Sequence, residues 1–205
     1  MKLLFATRSA GKQLEIRRVL EAAGHEVVFP DEAGVPEATI EETLEVSDSF
    51  ETNARMKAEY FLKKTGLPTV ADDSGLEVFS LGGQPGVRSK RWANASGSPQ
   101  QVDAANNAEL LRRLSGAAEN RRRARYRCVL VFLRTANGFP EVFEGLCGGA
   151  ILEQPRGAGG FGYDPLFLSD ELGKTFGEAT GEEKDRISHR GQALAKLIEK
   201  LKTHP

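Results

Sequence analysis

The first thirty residues alternate between short apolar runs and one stretch of helix-spaced apolar positions. The run from Lys2 to Ala6 predicts a short buried strand, and the run from His25 to Phe29 predicts a second one. Between them, residues 11–23 carry apolar side chains at i, i+3, i+4 and i+7: Ile16, Val19, Leu20 and Ala23. Gly24 then provides a suitable helix end. Strand, helix and strand in this order predict the opening of an α/β fold.

A second helix-spaced segment follows an acidic loop, which runs from Pro30 to Ser47. We expect this helix to begin at Asp48 or Ser49 as the N-cap and to end near Gly66. Its apolar positions lie on one face: Ala54, Ala58, Phe61 and Leu62. The apolar run after Gly66 predicts a further buried strand.

The second half of the chain predicts one helix, two long strands and a closing helix. A Gly- and Ser-rich loop covers Ser80–Pro99, and a helix is expected over Gln100–Leu114. The strands Arg123–Thr135 and Glu141–Glu153 are separated by Asn137-Gly138, a pair typical of hairpins. The last helix is expected to open at Ser188, with its apolar positions at Leu194, Leu197, Ile198 and Leu201. With no repeat or linker, the pattern predicts one mixed α/β domain over residues 1–205.

Composition and charge narrow the classes of function. The chain has 205 residues with 40% hydrophobic content, which suits a globular domain large enough to bury a hydrophobic core. Its net charge of -1 provides no global field for nucleic acid or an anionic membrane. Cys128 and Cys147 predict buried thiols in a reducing compartment. No leader or membrane span is visible, so we expect a cytoplasmic protein.

Two adjacent carboxylates interrupt the stretch "LPTVADDSGLEVF", Leu67–Phe79. We expect the strand to end at Asp72 and Asp73, and Ser74-Gly75 to turn the chain. Carboxylates are typical Mg²⁺ ligands, and a carboxylate beside a metal-bound water can also act as general base. The alternative is an Asp-rich turn whose side chains bond to the backbone.

The loop "TRSAGK", Thr7–Lys12, places hydroxyls, backbone N–H groups and a lysine before a helix, which is the arrangement of a phosphate site. It is not a P-loop, because Ala6 and Gln13 stand where that motif needs Gly and Ser or Thr. The alternative is an ordinary turn with a solvated lysine. Lys57, four residues after Asn53 on one helix face, can also reach a phosphate, although an extended surface lysine is the simpler interpretation.

A glycine-rich segment, Gly157–Phe167, matches GxGxxG in letters only. A dinucleotide fingerprint must open a helix, and Pro165 prevents that here. The segment therefore predicts a loop that presents Phe161, Tyr163 and Asp164, in which an aromatic ring can stack on a base. A core aromatic in a glycine-rich turn is the alternative.

The C-terminal third adds a polar pair and a basic run. Thr180 and Glu183 have the spacing of a capping box. His189 and Arg190 follow in the first turn of the last helix, where they can donate to a carbonyl oxygen or simply remain solvated. The arginine run over residues 121–127 alternates like a strand with one wet face, so it does not by itself indicate nucleic-acid binding.

Five motifs in this order, "TRSAGK", "NARMKA", "ADDSGLEV", "GGFGYDPLF" and "SHRGQAL", resemble the inosine/xanthosine triphosphate pyrophosphatase family, the Ham1/RdgB-type house-cleaning enzymes. The resemblance implies an elongated mixed α/β sheet flanked by helices, two lobes with a central nucleotide-binding cleft, and a homodimer. It also implies Mg²⁺-dependent hydrolysis of ITP, dITP and XTP to the monophosphate and pyrophosphate.

The resemblance also assigns site residues. The triphosphate cradle would be Thr7, Arg8, Ser9, Ala10, Gly11, Lys12 and Lys57, and Ser74 would touch substrate. Asp73 would be metal ligand and general base, supported by Asp72, with Glu45 as second metal ligand. The base pocket would comprise Phe161 as stacking ring, Gly162, Tyr163 and Asp164 as its shape, and Lys184, His189 and Arg190 as readers of the base edge.

Two positions depart from the family pattern. Ser9 stands where an Asn is usual, and Ser47 stands where a Gly is usual after the acidic motif. The choice of Glu45 over Glu42 or Glu41 as metal ligand rests on its spacing to the following helix. Two other functions stay open: a Maf-type pyrophosphatase acting on pyrimidine or modified nucleotides, and a nucleotide sensor without catalysis.

Overall fold

The computed structural model describes residues 1–203. Six strands form one sheet: β1 (Lys2–Phe5), β2 (Glu26–Val28), β3 (Thr69–Val78), β4 (Arg123–Leu133), β5 (Glu141–Ile151) and β6 (Phe167–Ser169). The principal helices are α1 (Ala10–Ala22), α2 (Phe50–Thr65), α3 (Pro99–Arg113), α4 (Gly181–Ile187) and α5 (His189–Thr203). The strand order is β2-β1-β3-β4-β5-β6. Strand β1 pairs in parallel with β2 and β3, whereas β5 and β6 are antiparallel, so the predicted mixed α/β class is confirmed.

The described chain divides into two compact units. Unit 1 comprises Met1–Asp73, Cys128–Gly145 and the C-terminal segment from Arg190, and unit 2 comprises Ser74–Arg127 and Leu146–His189. The chain therefore changes unit directly after Asp73 and directly after His189, inside two of the five motifs. Among residues 1–203, no helix combines the length and apolar character that crossing a membrane requires.

Unit 1 buries both faces of its strands. Successive strand residues point to opposite faces, and in β1 the side chains of Leu3 and Phe5 enter one core while Leu4 enters another. The first core also takes residues of α1 and α5, and the second takes residues of α2. Strands covered on both faces read as continuous apolar runs, which explains why these segments were recognisable in the sequence.

The helix ends follow local chemistry. The Ser49 side chain accepts a hydrogen bond from the Thr52 backbone N–H, and Gly66 ends α2 in a left-handed conformation at φ 69°. Thr180 and Glu183 form the predicted capping box of α4. These predictions are confirmed within one or two residues.

Unit 2 has one core, built from β3, β4, β5, α3 and the segment around β6. Within β4, Ala124 and Tyr126 are buried while Arg123 is exposed, so the alternating arginine run is a strand with one wet face, as predicted.

The prediction that the strand ends at Asp72-Asp73 is wrong, because β3 continues to Val78. Gly75 does not make a turn. A Cβ at this position would lie 2.1 Å from the Gly86 carbonyl oxygen and 2.6 Å from the Ser89 Oγ, so glycine is required by a close backbone approach.

Four smaller features also differ from the prediction. The acidic loop contains a short 3₁₀ helix, Thr39–Glu45, and the Ser80–Pro99 loop contains another, Gly86–Arg91. Strand β6 was not predicted, since three residues give no readable alternation. The strands β4 and β5 are neighbours as expected, but seven residues join them, and neither Asn137 nor Gly138 has the positive φ of a two-residue turn.

Candidate active site

The predicted site residues fall into two groups, one in each unit. Unit 1 contains Thr7, Arg8, Ser9, Ala10, Gly11, Lys12, Glu45, Lys57, Asp72, Asp73 and Arg190. Unit 2 contains Ser74, Phe161, Gly162, Tyr163, Asp164, Lys184 and His189. The phosphate and metal residues of the resemblance thus belong to unit 1, and the base residues belong to unit 2 with the exception of Arg190.

The two adjacent aspartates use opposite sides of β3. Because strand side chains alternate, Asp72 reaches α1 and α5, whereas Asp73 reaches α2. Asp72 is fully buried and Asp73 is 6% exposed. Their position inside a strand, rather than at its end, fixes both carboxylates on a rigid element.

Asp72 is held by two cations. Its Oδ2 lies 2.8 Å from Lys12 Nζ and 3.3 Å from Arg190 Nη2. Burial alone would raise the pKa of Asp72, but the charges of Lys12 and Arg190 hold it well below its usual range. Asp72 is therefore a fixed anion that anchors both cations.

Arg190 also donates through Nη1 to the buried carboxylate of Glu15 on α1. The sequence analysis did not single out Glu15, since a glutamate within a helix gives no sign of a partner far along the chain. These contacts show that two of the Arg190 nitrogens serve carboxylates of unit 1. Its role as a reader of the base edge stays a prediction.

Lys57 and Glu45 form a further ion pair of unit 1, with 2.5 Å between Lys57 Nζ and Glu45 Oε1. Lys57 Nζ also donates to the Asp72 backbone carbonyl. Burial would raise the pKa of Glu45, yet the charges of Lys57 and Lys12 lower it to about 2. Lys57 is 7% exposed, so it is not the extended surface lysine of the alternative interpretation.

Asp73 differs from Asp72 and Glu45 in that its pKa is raised. Burial and the neighbouring charge of Glu45 raise it to about 6, although the charge of Lys57 works in the opposite direction. Asn53 Nδ2 donates to Asp73 Oδ2 at 2.8 Å and so fixes the carboxylate. A buried carboxylate with a pKa near neutrality has the protonation behaviour of a general base.

The donor set suits a hard divalent cation. Four carboxylates face three cations in this group: Glu15, Glu45, Asp72 and Asp73 against Lys12, Lys57 and Arg190. Glu45 and Asp73 are close enough for the charge of one to raise the pKa of the other. Within residues 1–203 no three His, Cys, Asp or Glu side chains form a ready metal cluster. Mg²⁺ commonly takes only one or two protein carboxylates, so the number of donors in this pair suits such an ion.

The loop before α1 keeps part of the predicted phosphate chemistry. Ser9 occupies the N-cap position of α1, and its side chain makes no capping hydrogen bond there. Arg8, in contrast, donates through Nε and Nη2 to Glu41 and through Nη1 to Asp31. Both Glu41 and Glu45 pair with a cation, but Glu45 is also close enough to Asp73 for its charge to raise the pKa of Asp73, so Glu45 is the better metal-ligand candidate of the two.

Unit 2 presents Phe161 above a buried ion pair. Lys184 Nζ lies 2.5 Å from Asp164 Oδ2 and 4.7 Å from the centre of the Phe161 ring. The Phe161 backbone N–H also donates to Asp164 Oδ2, at 2.9 Å. Phe161 itself is half-buried, so one part of the ring remains accessible while Asp164 orders the loop below it.

Tyr163 and His189 are parts of the interior of unit 2. Tyr163 is 3% exposed, and its hydroxyl donates to the Ser89 carbonyl at 2.9 Å. The His189 ring stacks on Tyr126, with ring centres 4.6 Å apart and an angle of 7° between the planes. Tyr126 was not predicted as a site residue, because it reads as an ordinary buried strand aromatic. Ser74 lies half-buried in β3.

The two cysteines are buried free thiols, as predicted. Burial raises the pKa of Cys128 to about 12 and that of Cys147 to about 11, so neither is a thiolate nucleophile at neutral pH.

Comparison with known proteins gives consistent matches along the whole chain. A dITP/XTP pyrophosphatase of Ralstonia nicotianae is 45% identical over 202 residues, which cover 98% of this chain and 96% of that protein. A dITP/XTP pyrophosphatase of Thermus thermophilus is 43% identical over 205 residues, covering 100% and 94%. The structure of a HAM1 protein from Coxiella burnetii matches with a TM-score of 0.84 and 34% identity over 99% of both chains.

A nucleoside-triphosphatase / dITP/XTP pyrophosphatase from Mycobacterium abscessus matches with a TM-score of 0.73 and 45% identity, over 96% of this chain and 98% of that one. The sequence profile of the Ham1 family covers residues 3–200. This chain therefore belongs to the Ham1 family.

Proposed function

We propose that this chain hydrolyses deaminated purine nucleoside triphosphates, namely dITP, ITP and XTP, to the monophosphate and pyrophosphate. The observation that carries the proposal is the carboxylate pair of unit 1, the half-buried Glu45 and the buried Asp73, held beside two lysines that can bind phosphate. The family relatives named dITP/XTP pyrophosphatase agree with this chemistry. The protein thus removes damaged purines from the nucleotide pool.

Glu45 and Asp73 would hold Mg²⁺ through their carboxylate oxygens. When bound, Mg²⁺ neutralises phosphate charge. Lys12 and Lys57 bind the triphosphate through their ammonium charges. Before substrate binds, Asp72 holds the side chain of Lys12 in place and Glu45 holds that of Lys57. The N-terminus of α1, with the Ser9 hydroxyl, adds N–H donors for a further phosphate oxygen.

Asp73 accepts the proton of the attacking water. Its pKa of about 6 lets the carboxylate be ionised at neutral pH and still bind a proton strongly enough to assist the attack. Asn53 holds the accepting oxygen in place, and the anionic Asp72 keeps Lys12 and Arg190 fixed on the other face of β3. The water oxygen bonds to the α-phosphorus while the bond from that phosphorus to the α–β bridging oxygen breaks, so pyrophosphate leaves and the monophosphate remains.

The base is recognised by residues of unit 2. Phe161 stacks on the purine, and Lys184 and His189 supply donors that suit a 6-carbonyl group. Adenine carries a donor at that position, so these groups would be left unpaired against ATP, a mismatch that can cost about 10⁴-fold in discrimination. We propose that Arg190 also contributes to reading the base edge, although its observed hydrogen-bond partners are the carboxylates of Glu15 and Asp72.

We also propose that residues 1–205 work as one domain. Each unit is assembled from more than one segment of the chain, so neither can be cut out as a continuous piece. The active protein is proposed to be a cytoplasmic homodimer with no nucleic-acid partner, which suits its net charge of -1.

The test is pyrophosphate release from ITP, dITP, XTP, GTP, ATP, dTTP and UTP, each with and without Mg²⁺. We expect release from the first three that depends on Mg²⁺, and little release from ATP. Binding of ITP without release would identify a sensor, and preferred release from pyrimidine nucleotides would identify a Maf-type activity. Either result overturns the proposal.

A further inference from the structure

We propose that Asp103 and Asn107 on α3 are positioning residues that fix the backbone of the base-stacking loop, and so set the orientation of Phe161 toward a purine. The inference rests on the proposed function for the identity of the ligand, but its geometry is independent of it. Neither residue belongs to the motifs that indicated the family.

The side chains of Asp103 and Asn107 hydrogen-bond to both backbone polar groups of Gly162. Asp103 Oδ2 accepts a hydrogen bond from the Gly162 backbone N–H at 2.7 Å. Asn107 Nδ2 donates to the Gly162 carbonyl oxygen at 3.0 Å. Asp103 and Asn107 are four residues apart, so they lie on one face of α3 and approach the loop together.

These contacts fix the peptide planes next to Phe161. The Gly162 N–H belongs to the peptide that follows Phe161, and Asp103 holds that plane. The Phe161 N–H belongs to the peptide that precedes it, and Asp164 holds that plane at 2.9 Å. With both planes held, the backbone dihedral angles of Phe161 are determined, and only its side-chain torsions remain free.

Helix α3 is a rigid platform for this grip. Its start is closed by a capping box between Ser98 and Gln101, and Leu110 buries it in the core of unit 2. Asn106, on the same helix, accepts from the Ala93 N–H and donates to the Lys90 carbonyl, so α3 also holds the end of the 3₁₀ helix Gly86–Arg91 and the residues just after it. The same helix therefore organises two loops through side-chain contacts with backbone atoms.

The loop needs this support because its conformation is costly. Gly162 has a φ of 62° and Gly160 a φ of 73°. Glycine adopts this region freely, but it also loses more conformational freedom on ordering than any other residue. A ring on an unsupported glycine loop would have to be ordered by the substrate, which would weaken binding. The grip by Asp103 and Asn107 removes that cost before substrate arrives.

The test is a double-mutant cycle on KM for dITP. From the usual contribution of base–aromatic stacking to binding, Phe161→Ala should raise KM by about 5- to 150-fold. Asp103→Ala should raise KM by at least about 3-fold but less than Phe161→Ala, with kcat nearly unchanged, because the stack binds substrate and transition state alike. Asp103→Asn should restore KM, since its amide oxygen still accepts from Gly162. In the Phe161→Ala background, Asp103→Ala should add nothing further.

The matched control is Glu109→Ala, which removes a carboxylate of the same helix that pairs with Arg112 and Arg113. This control should leave KM unchanged. An unchanged KM in Asp103→Ala would overturn the inference, as would an equal loss with and without Phe161, because the effect would then not pass through the ring.

A second readout separates this inference from the proposed function. Trp92 is the one tryptophan of the chain, so Trp92→Phe combined with Phe161→Trp leaves a single reporter in the loop. Asp103→Ala should lower the fluorescence anisotropy of that reporter and raise its quenching by acrylamide. If the wild-type protein released no pyrophosphate from dITP, the proposed function would fail while this measurement still decided the inference. Unchanged anisotropy would refute it.

Discussion

Replacement of Asp73 by Asn should make the protein more stable and inactive at the same time. Burial and the charge of Glu45 raise the pKa of Asp73 from 3.8 to about 6. A folded-state pKa above the unfolded value contributes stability that is present below pH 3.8 and lost as pH rises toward 6. At about 1.4 kcal/mol per pKa unit, the ionised carboxylate costs roughly 3 kcal/mol at pH 8.

The amide of Asp73→Asn carries no charge, and its oxygen can still accept from Asn53 Nδ2, which lies 2.8 Å from Asp73 Oδ2. At roughly 2–4 °C per kcal/mol for a chain of this size, Tm at pH 8 in EDTA should rise by roughly 6–12 °C. The gain should vanish below about pH 4, where the wild-type carboxyl is protonated. Differential scanning calorimetry across pH 4–8 measures it.

The same variant should lose turnover because it cannot accept a proton. A general base contributes about 10²- to 10⁴-fold, and kcat for dITP should fall by at least that range while the nucleotide still binds to Lys12 and Lys57. The control is Asp170→Asn, an exposed carboxylate whose pKa is lowered by its bond to Arg123; this change should not raise Tm. A variant that kept wild-type kcat, or that lost stability at pH 8, would refute the assignment of Asp73.

Three further changes test other parts of the site and fold. Lys57→Met removes a cation that lowers the pKa of Asp73, so the acid limb of kcat/KM for dITP should move to higher pH in a pH–rate profile. Gly75→Ala places a Cβ 2.1 Å from the Gly86 carbonyl, and should lower the free energy of unfolding by about 1–3 kcal/mol or more in urea titrations. Millimolar Mg²⁺ should raise the wild-type Tm at pH 8, and should raise it less in Glu45→Gln, by thermal shift.

Each of these changes has a control on a comparable residue. Lys64→Met alters an exposed lysine of α2, over Tyr60, and should leave the acid limb in place. Gly148→Ala brings its Cβ no closer than 3.2 Å to a side-chain oxygen of Asp170 and should cost much less than Gly75→Ala. An acid limb unmoved by Lys57→Met, a neutral Gly75→Ala, or equal Mg²⁺ stabilisation of wild type and Glu45→Gln would contradict the respective account.

The parts of the fold that could be predicted are those whose causes are local. The apolar spacing of α1 and α2, the Ser49 cap and the Gly66 end all depend on residues within a few positions of one another. The continuation of β3 through Ser74-Gly75 could not be predicted. Glycine is required at position 75 because the backbone of Gly86 approaches it closely, and the sequence does not show that these two segments are neighbours. Local turn chemistry was therefore a misleading guide there.

In the candidate site, too, features with a local cause could be predicted and features that depend on distant parts of the chain could not. The motifs and the family resemblance named candidate carboxylates, lysines and aromatic residues, and the roles of these residues stay predictions. Their partners could not be predicted, because Arg8 pairs with Glu41 33 residues away and Arg190 pairs with Glu15 175 residues away. Only the folded chain shows that Arg190 serves the carboxylates of unit 1, or that the Gly162 peptide is held by α3.

One competition assay tests the central claim most directly. Equimolar dITP and dATP are incubated with the protein and Mg²⁺, and the products are separated by chromatography over time. The account predicts that dIMP and pyrophosphate accumulate while dATP persists. Equal consumption of both nucleotides, or formation of dIDP and inorganic phosphate, would contradict it.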